Sequence, residues 1–170
     1  MELMVVLAMI AILSGIAVPQ YSQLTSQMRS SAAATQLLGN VHWARTMSLR
    51  TGVPHYISTG VGSGVVYQVR RAAVPPAIDP ASDPVIRSVD LSQSMPGISF
   101  QTNGAASDPW GTPLAGAVPN TPLSFNARGL PSTAGTFVVS TADGAFGYAV
   151  AVTGVGRARV FRQNGAGGWQ

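Results

Sequence analysis

From Leu3 to Val18 the chain runs sixteen residues without a charge, interrupted only by Ser14 and Gly15. As a helix this run spans about 24 Å at 1.5 Å per residue, slightly less than the ~20 residues of a bilayer crossing. Past Pro19 the wholly apolar pattern becomes amphipathic. Tyr21, Leu24, Met28, Ala32, Leu38, Val41, Ala44 and Met47 recur mostly at three- and four-residue spacing, with polar residues between them, so the helix is expected to continue. Thr51-Gly52 followed by Val53-Pro54 supplies the stop, with Gly and Pro in the order a helix C-terminus favours. One helix of roughly fifty residues is far longer than the ordinary globular helix, and it predicts a stalk, half in lipid and half packed on a head.

After Gly52 the period changes to two. Strands are expected at Val53–Thr59, Val65–Arg71, Val85–Leu91, Ile98–Thr102, Leu123–Asn126, Thr136–Thr141, Tyr148–Thr153 and Arg157–Arg162, with turn residues between them. Gly60-Val61-Gly62-Ser63-Gly64 joins the first two as a hairpin, and neither a helix nor a Lys follows it as a phosphate loop would require. Residues 72–84, with four prolines, read as a loop, residues 104–122 as an irregular excursion containing Trp110, and Ala142–Gly147 as a turn. The organisation is therefore α+β: an apolar helix over residues 1–19, its amphipathic continuation over 20–52, and a β-rich head over 53–170.

Three readings fit the opening segment. A secretory signal peptide needs a basic region before the apolar run, yet only Met1 and Glu2 precede it. A buried core helix of a soluble protein leaves Glu2 without a reason. A membrane anchor accounts for both, and it is the reading preferred here. A carboxylate held deep in a bilayer costs about 2.5–3.5 kcal/mol on translocon scales, so Glu2 is expected to meet a partner. Charge alone leaves a second option, a place at the headgroup level where it favours the helix N-terminus.

Glu2-Leu3-Met4-Val5-Val6-Leu7-Ala8-Met9-Ile10-Ala11-Ile12-Leu13, followed by Ala17-Val18-Pro19-Gln20-Tyr21, resembles the N-terminal helix of type IV pilins and of type II secretion pseudopilins. In that family a Glu near the mature N-terminus is followed seventeen residues later by a Pro, the spacing of Glu2 and Pro19. The resemblance implies that Pro19 kinks the helix, through its lost hydrogen bond and ring clash. It also implies that Glu2 pairs with the N-terminal amine of a neighbouring subunit during assembly. Family members begin with a short basic leader ending in Gly, then an aromatic and a few apolar residues. Only Met1 precedes Glu2 here, so the leader and the first mature residues are expected to be missing, and prepilin peptidase would act on the full-length precursor. Leu123-Ser124-Phe125-Asn126-Ala127-Arg128-Gly129-Leu130-Pro131 is similar to the F-x-x-x-G-x-P stretch of the GspH/FimT (FimU-like) subfamily. Tyr148–Thr153 and Gly154-Val155-Gly156-Arg157-Ala158-Arg159 resemble its closing strand and Gly-Arg-x-Arg motif. The implied fold is the type IV pilin fold, the long helix packed on an antiparallel head of two small sheets.

Composition narrows the chemistry. There is no cysteine, hence no disulfide and no thiolate metal site, and two histidines and six acids are scattered along the chain. His42 has no second ligand at helical spacing, and His55 is expected to be half-exposed and structural. Asp79, Asp83 and Asp108 lie in Pro-containing loops as turn formers do, and Asp143-Gly144 is a hairpin turn signal, not a calcium loop. No catalytic residue, metal or cofactor is expected; the chain reads as an assembly protein.

All ten basic residues are arginine, for a formal charge of +4, and three of them, Arg157, Arg159 and Arg162, fall within six residues of one another. No acid follows Asp143. On an extended strand Arg157 and Arg159 share a face at ~7 Å spacing, which suits phosphates, whereas Arg162 joins them only if the tail bends. The resemblance adds that in FimT-like minor pilins of transformable bacteria the Gly-Arg-x-Arg region binds DNA, so double-stranded DNA is a candidate partner of Arg157, Arg159 and Arg162. The alternative is a charged strand edge that blunts pairing with another sheet. The preferred function is thus a FimT/FimU-like minor type IV pilin near the pilus tip that contacts DNA during uptake. The alternatives are a GspH-like pseudopilin of type II secretion and, from another class, a soluble domain with an apolar core helix. Under the first two, the partners are other major and minor pilins or pseudopilins. The chain would span the inner membrane once, head in the periplasm, before entering a pilus or pseudopilus.

Overall fold

In the computed structural model of the chain, residues 2–59, 65–100, 107–110, 122–132, 135–164 and 168–170 are described. The amphipathic and apolar halves form one helix, α1 (Glu2–Thr51), about 75 Å long at 1.5 Å per residue. The helix continues unbroken through Pro19. It stops where the sequence signals: the Gly52 N–H donates to the Ser48 carbonyl at 3.0 Å, and Gly52 takes φ of 68°, which costs a residue without a Cβ nothing.

Among the described residues eight strands follow: β1 (His55–Thr59), β2 (Val66–Arg71), β3 (Val85–Asp90), β4 (Ile98–Phe100), β5 (Leu123–Phe125), β6 (Gly135–Thr141), β7 (Gly147–Val152) and β8 (Ala158–Arg162). They make two antiparallel sheets, ordered β3-β2-β1-β5 and β4-β6-β7-β8. The expected link between the first two strands, residues 60–64, lies outside the described residues, as does nearly all of the expected excursion at 104–122. One short helix was not anticipated. In α2 (Leu91–Ser94) the Asp90 carboxylate accepts the Ser92 N–H at 2.8 Å and caps the turn, while Leu91 is buried.

Both sheets close on the second half of α1, and here the expected helical stripe needs correction. The side chains buried on the helix are Ser30, Ala33, Ala34, Leu37, Asn40, Val41, Ala44 and Ser48. Of the expected set only Val41 and Ala44 are among them; Leu38 packs partly buried at the margin. Tyr21, Leu24 and Met28 stand about half or more exposed. Small residues win the buried face because two sheets must approach one helix closely, and bulk is then supplied from the sheets by Tyr67, Phe125, Phe137 and Val150.

Polar groups fasten the helix to the head. Ser48 Oγ donates to the carbonyls of Ala44 and Phe125 at 3.0 and 3.1 Å and accepts the His55 N–H at 3.0 Å, tying α1 to β5 and β1. Asn40 donates to the Tyr67 hydroxyl at 2.6 Å and accepts from Arg87 at 2.9 Å, and the Arg87 guanidinium lies 5.6 Å from the centre of the Trp43 ring. His55 is buried rather than half-exposed. Burial lowers its pKa, a nearby Arg71 charge adding to that effect while its ring N–H to Val53 O opposes it. The role of His55 is structural: a neutral ring bonded to the backbone and set edge-on against Trp43, at 6.4 Å between ring centres.

Candidate functional site

Two regions carry the candidate residues. The first is the N-terminal half of α1. Leu3, Met4, Val5, Val6, Leu7, Met9, Ile10, Ile12, Leu13 and Val18 are all more than half exposed. The helix therefore has a stretch long and apolar enough to cross a membrane, with none of its described side chains buried by the protein itself. Glu2 opens this stretch and Pro19 closes it, both within α1.

The second region is the β7–β8 turn with its surroundings. Thr153 starts a tight turn: its N–H donates to Arg157 O at 2.9 Å, the Gly156 N–H returns to Thr153 O at 2.8 Å, and the Arg157 N–H donates to Thr153 Oγ1 at 3.2 Å. Gly156 sits at φ of 79°, a left-handed conformation that suits glycine. Arg157 thus leaves the turn with its backbone fixed, just ahead of β8. Strand alternation then assigns faces. Arg159 lies opposite Ala151 and Phe161 opposite Ala149, on the side of the sheet away from the helix. Arg162 lies opposite Tyr148, on the side that meets α1.

Arg157, in the turn before β8, lines one hollow with Arg159, whereas Arg162 lies on the other face of the sheet. Nor does the tail bend Arg162 round. Its backbone exchanges hydrogen bonds with Gln170, at 2.9 and 2.8 Å, and Gln163 bridges to Trp169, so the final residues fold back on the end of β8. All three guanidiniums are exposed, and among the described residues none donates to a hydrogen bond or pairs with an acid.

A residue that sequence reasoning missed organises this end of the head. Arg45, on α1, donates from Nε to Gly129 O at 3.0 Å and from Nη1 to Gly156 O at 2.9 Å. Its fork clamps two turns that are far apart in sequence. The Asn126–Pro131 turn is closed from within: Asn126 Oδ1 accepts the N–H groups of Arg128 and Leu130 at 2.9 and 3.1 Å, and the Gly129 N–H donates to Asn126 O at 2.8 Å. A Cβ on Gly129 would lie 2.9 Å from Leu49 Cγ; one on Gly156 would lie 3.0 Å from Gly129 O and 3.2 Å from Arg45 Cζ. Both glycines of the quoted motifs are thus required by close approach. The exposed Arg128, one residue from Gly129, is thereby brought to the turn that bears Arg157. The only sequence signal for the clamp was an arginine, four residues past Val41, on the face that packs.

The aspartates stay in the backbone. Asp79 accepts the Ala81 N–H and the Ser82 hydroxyl, at 3.0 and 2.6 Å, and Asp143 accepts the Ala145 N–H at 3.1 Å. Asp83 is buried and holds the 72–84 loop by accepting from Ala73 N–H at 2.7 Å and from Asp79 N–H and the Tyr56 hydroxyl, both at 2.9 Å. Burial pushes its pKa up, but these donors and the Arg70 charge outweigh it and leave the carboxyl below its ordinary value. The same burial, with Asp83 beside it, raises the Tyr56 hydroxyl pKa well above its usual value. Among the described residues no three His, Cys, Asp or Glu side chains gather as a metal site.

A family model described as type II transport protein GspH matches residues 33–156. The chain belongs to the GspH family. The match begins on the amphipathic half of α1, takes in both clamped turns and ends at Gly156. Among solved structures, the type IV minor pilin FimU of Pseudomonas aeruginosa PAO1 is similar, with a TM-score of 0.51 over 81% of this chain and 91% of that one, at 16% identity. At that identity the likeness is one of fold: a long N-terminal helix with antiparallel sheets, the type IV pilin fold. No curated protein sequence matches the chain. In this GspH-family head the Arg45 clamp gives the glycines of the Phe125–Pro131 and Gly156–Arg159 stretches their physical reason.

Proposed function

We propose that this chain is a minor type IV pilin that is held in the inner membrane by α1 with its head in the periplasm, then enters a filament beside other pilins. Its head would contact DNA through Arg157 and Arg159. Membership of the GspH family supports a pilus or pseudopilus component. The uncovered apolar half of α1 supports the lipid-to-filament route, since exposed side chains of that length need either acyl chains or sister helices around them. Glu2, at the head of that stretch, would be neutralised by a neighbour's N-terminal amine, and Pro19 would bend the helix where the lone apolar run ends.

The observation that carries the DNA reading is the pair of guanidiniums on the outward face at the start of β8, joined by no acid between residues 144 and 170. Contacts of this kind are sequence-independent and salt-sensitive, each phosphate contributing about 0.9 to the slope of log affinity against log salt on duplex DNA. Gel-shift titration of the Arg157→Gln, Arg159→Gln double variant tests it. The slope should fall by about 1.8 with the melting temperature of the head kept. Unchanged affinity in a folded double variant refutes it.

The description of the matching family model favours a second reading, a pseudopilin of type II secretion. Deleting the gene separates the two: loss of pili and transformation supports the first, loss of protein export with pili intact the second.

A further inference from the structure

Beside Arg157 and Arg159 lies a feature that phosphate contact alone does not use. Trp110, Thr153, Val155, Arg157 and Arg159 line a hollow of about 310 Å³ on the outward face. Trp110 is held there rather than folded away. Its backbone N–H donates to the Asp108 carboxylate at 2.9 Å, and the same carboxylate accepts the Thr136 hydroxyl of β6 at 3.2 Å. The Trp169 indole donates to Ser107 O at 2.7 Å, so the returning tail ties down the other end of the segment. The edge of the indole meets Phe161 at 5.1 Å between ring centres. Yet 44% of Trp110 remains exposed, with Val155 beside it at 64%. A half-bare indole that shares one hollow with two exposed guanidiniums presents an apolar planar surface and two anion-binding forks.

We propose that this hollow binds a single-stranded stretch of DNA, one unpaired base stacking on Trp110 while flanking phosphates meet Arg157 and Arg159. The inference rests on the DNA reading above and sharpens it to a substrate class. A nucleotide strand offers a flat π-surface with an anion on either side, the combination that an indole and two guanidiniums in one hollow match. In a duplex both faces of each base are already covered, and exposing one requires unstacking and unpairing. A single strand brings its bases bare, and stacking on an aromatic side chain is tolerant of which base it is.

The test uses the full chain in detergent micelles, with three probes of equal phosphate count: a short oligothymidylate, an abasic strand and a blunt duplex. The oligothymidylate should bind about tenfold more tightly than the abasic strand, the effect of roughly one stacked base, and should quench tryptophan fluorescence where the abasic strand does not. Trp110→Ala should remove that advantage and leave abasic and duplex affinities unchanged, while Trp110→Phe should keep most of it. Equal binding of the oligothymidylate and abasic strands by the wild-type chain overturns the proposal, even if Trp110→Ala does not fold. Parallel weakening of strand and duplex in a folded Trp110→Ala variant overturns it as well. Binding of none of the three probes removes the parent DNA reading too, whereas binding of duplex alone removes only the single-strand site.

Discussion

Replacing Arg45 with Met keeps much of the aliphatic stem and removes the fork. Two backbone carbonyls, Gly129 O and Gly156 O, then lose donors at 3.0 and 2.9 Å. Hydrogen bonds to a charged group contribute about 1.5–3 kcal/mol each. Arg45 is only half-buried, so the lower figure applies, and the pair amounts to about 3 kcal/mol. At about 2–4 °C per kcal/mol for a chain of this size, the head should melt roughly 10 °C lower. Arg45→Lys, a point donor that reaches one carbonyl, should lose about half as much. Gly156→Ala attacks the same contact from the other side: the left-handed φ costs about 1–2 kcal/mol for an L-residue, and the added Cβ meets Gly129 O at 3.0 Å. Since both changes break one clamp, their effects should fall short of additive. Thermal melts of the two single variants and the double variant, followed by near-ultraviolet circular dichroism in micelles, measure this. An Arg45→Met variant within about 0.5 kcal/mol of wild type, the range of an ordinary surface change, would show that the clamp holds nothing.

Two further outcomes follow from the head. Ser48→Ala orphans the buried His55 N–H and takes a donor from Phe125 O, so it should cost about 1–3 kcal/mol in denaturant melts; Ser48→Thr, if its methyl is accommodated, should recover part. Asp83 has a folded-state pKa below its unfolded value, so the stability it contributes is present above the ordinary carboxylate range near pH 4 and is lost as pH falls through the folded value. Melting temperature followed from pH 6 downward should therefore drop more steeply for wild type than for Asp83→Asn, and parallel curves would count against that role.

The strands were legible because each carries its own period-two signal. All eight expected strands are present within two residues at their described ends, and the Gly52 stop ends α1 at Thr51. What the local pattern could not show was which face of α1 meets the sheets. Tyr21, Leu24 and Met28 have the bulk and spacing of core residues but lie above the head, where only the choice of partners decides burial. Ser30, Ala33 and Ala34 look unremarkable and are buried because the sheets crowd them. Pairings such as β1 with β5, across some seventy residues, and the Arg45 clamp, which spans 84 and 111 residues, are properties of topology. Of the arginine cluster, Arg157 and Arg159 line one hollow, as two-residue spacing suggests; the fold-back of residues 168–170 on Arg162 needed the tertiary structure. Trp110 stood in a stretch with no period, so its meeting with Phe161 had no local sign.

The buried stripe on α1 starts at Ser30, and among the described residues every fully buried side chain lies there or beyond. The head's cohesion is therefore indifferent to whatever surrounds the first half of the rod. Acyl chains can be exchanged for neighbouring rods without any interior contact of the head being made or lost. On the proposed route from membrane to filament the subunit would change its surroundings as a finished object: the work of transfer would fall on the solvation of one cylinder, leaving the interior of the head as it is.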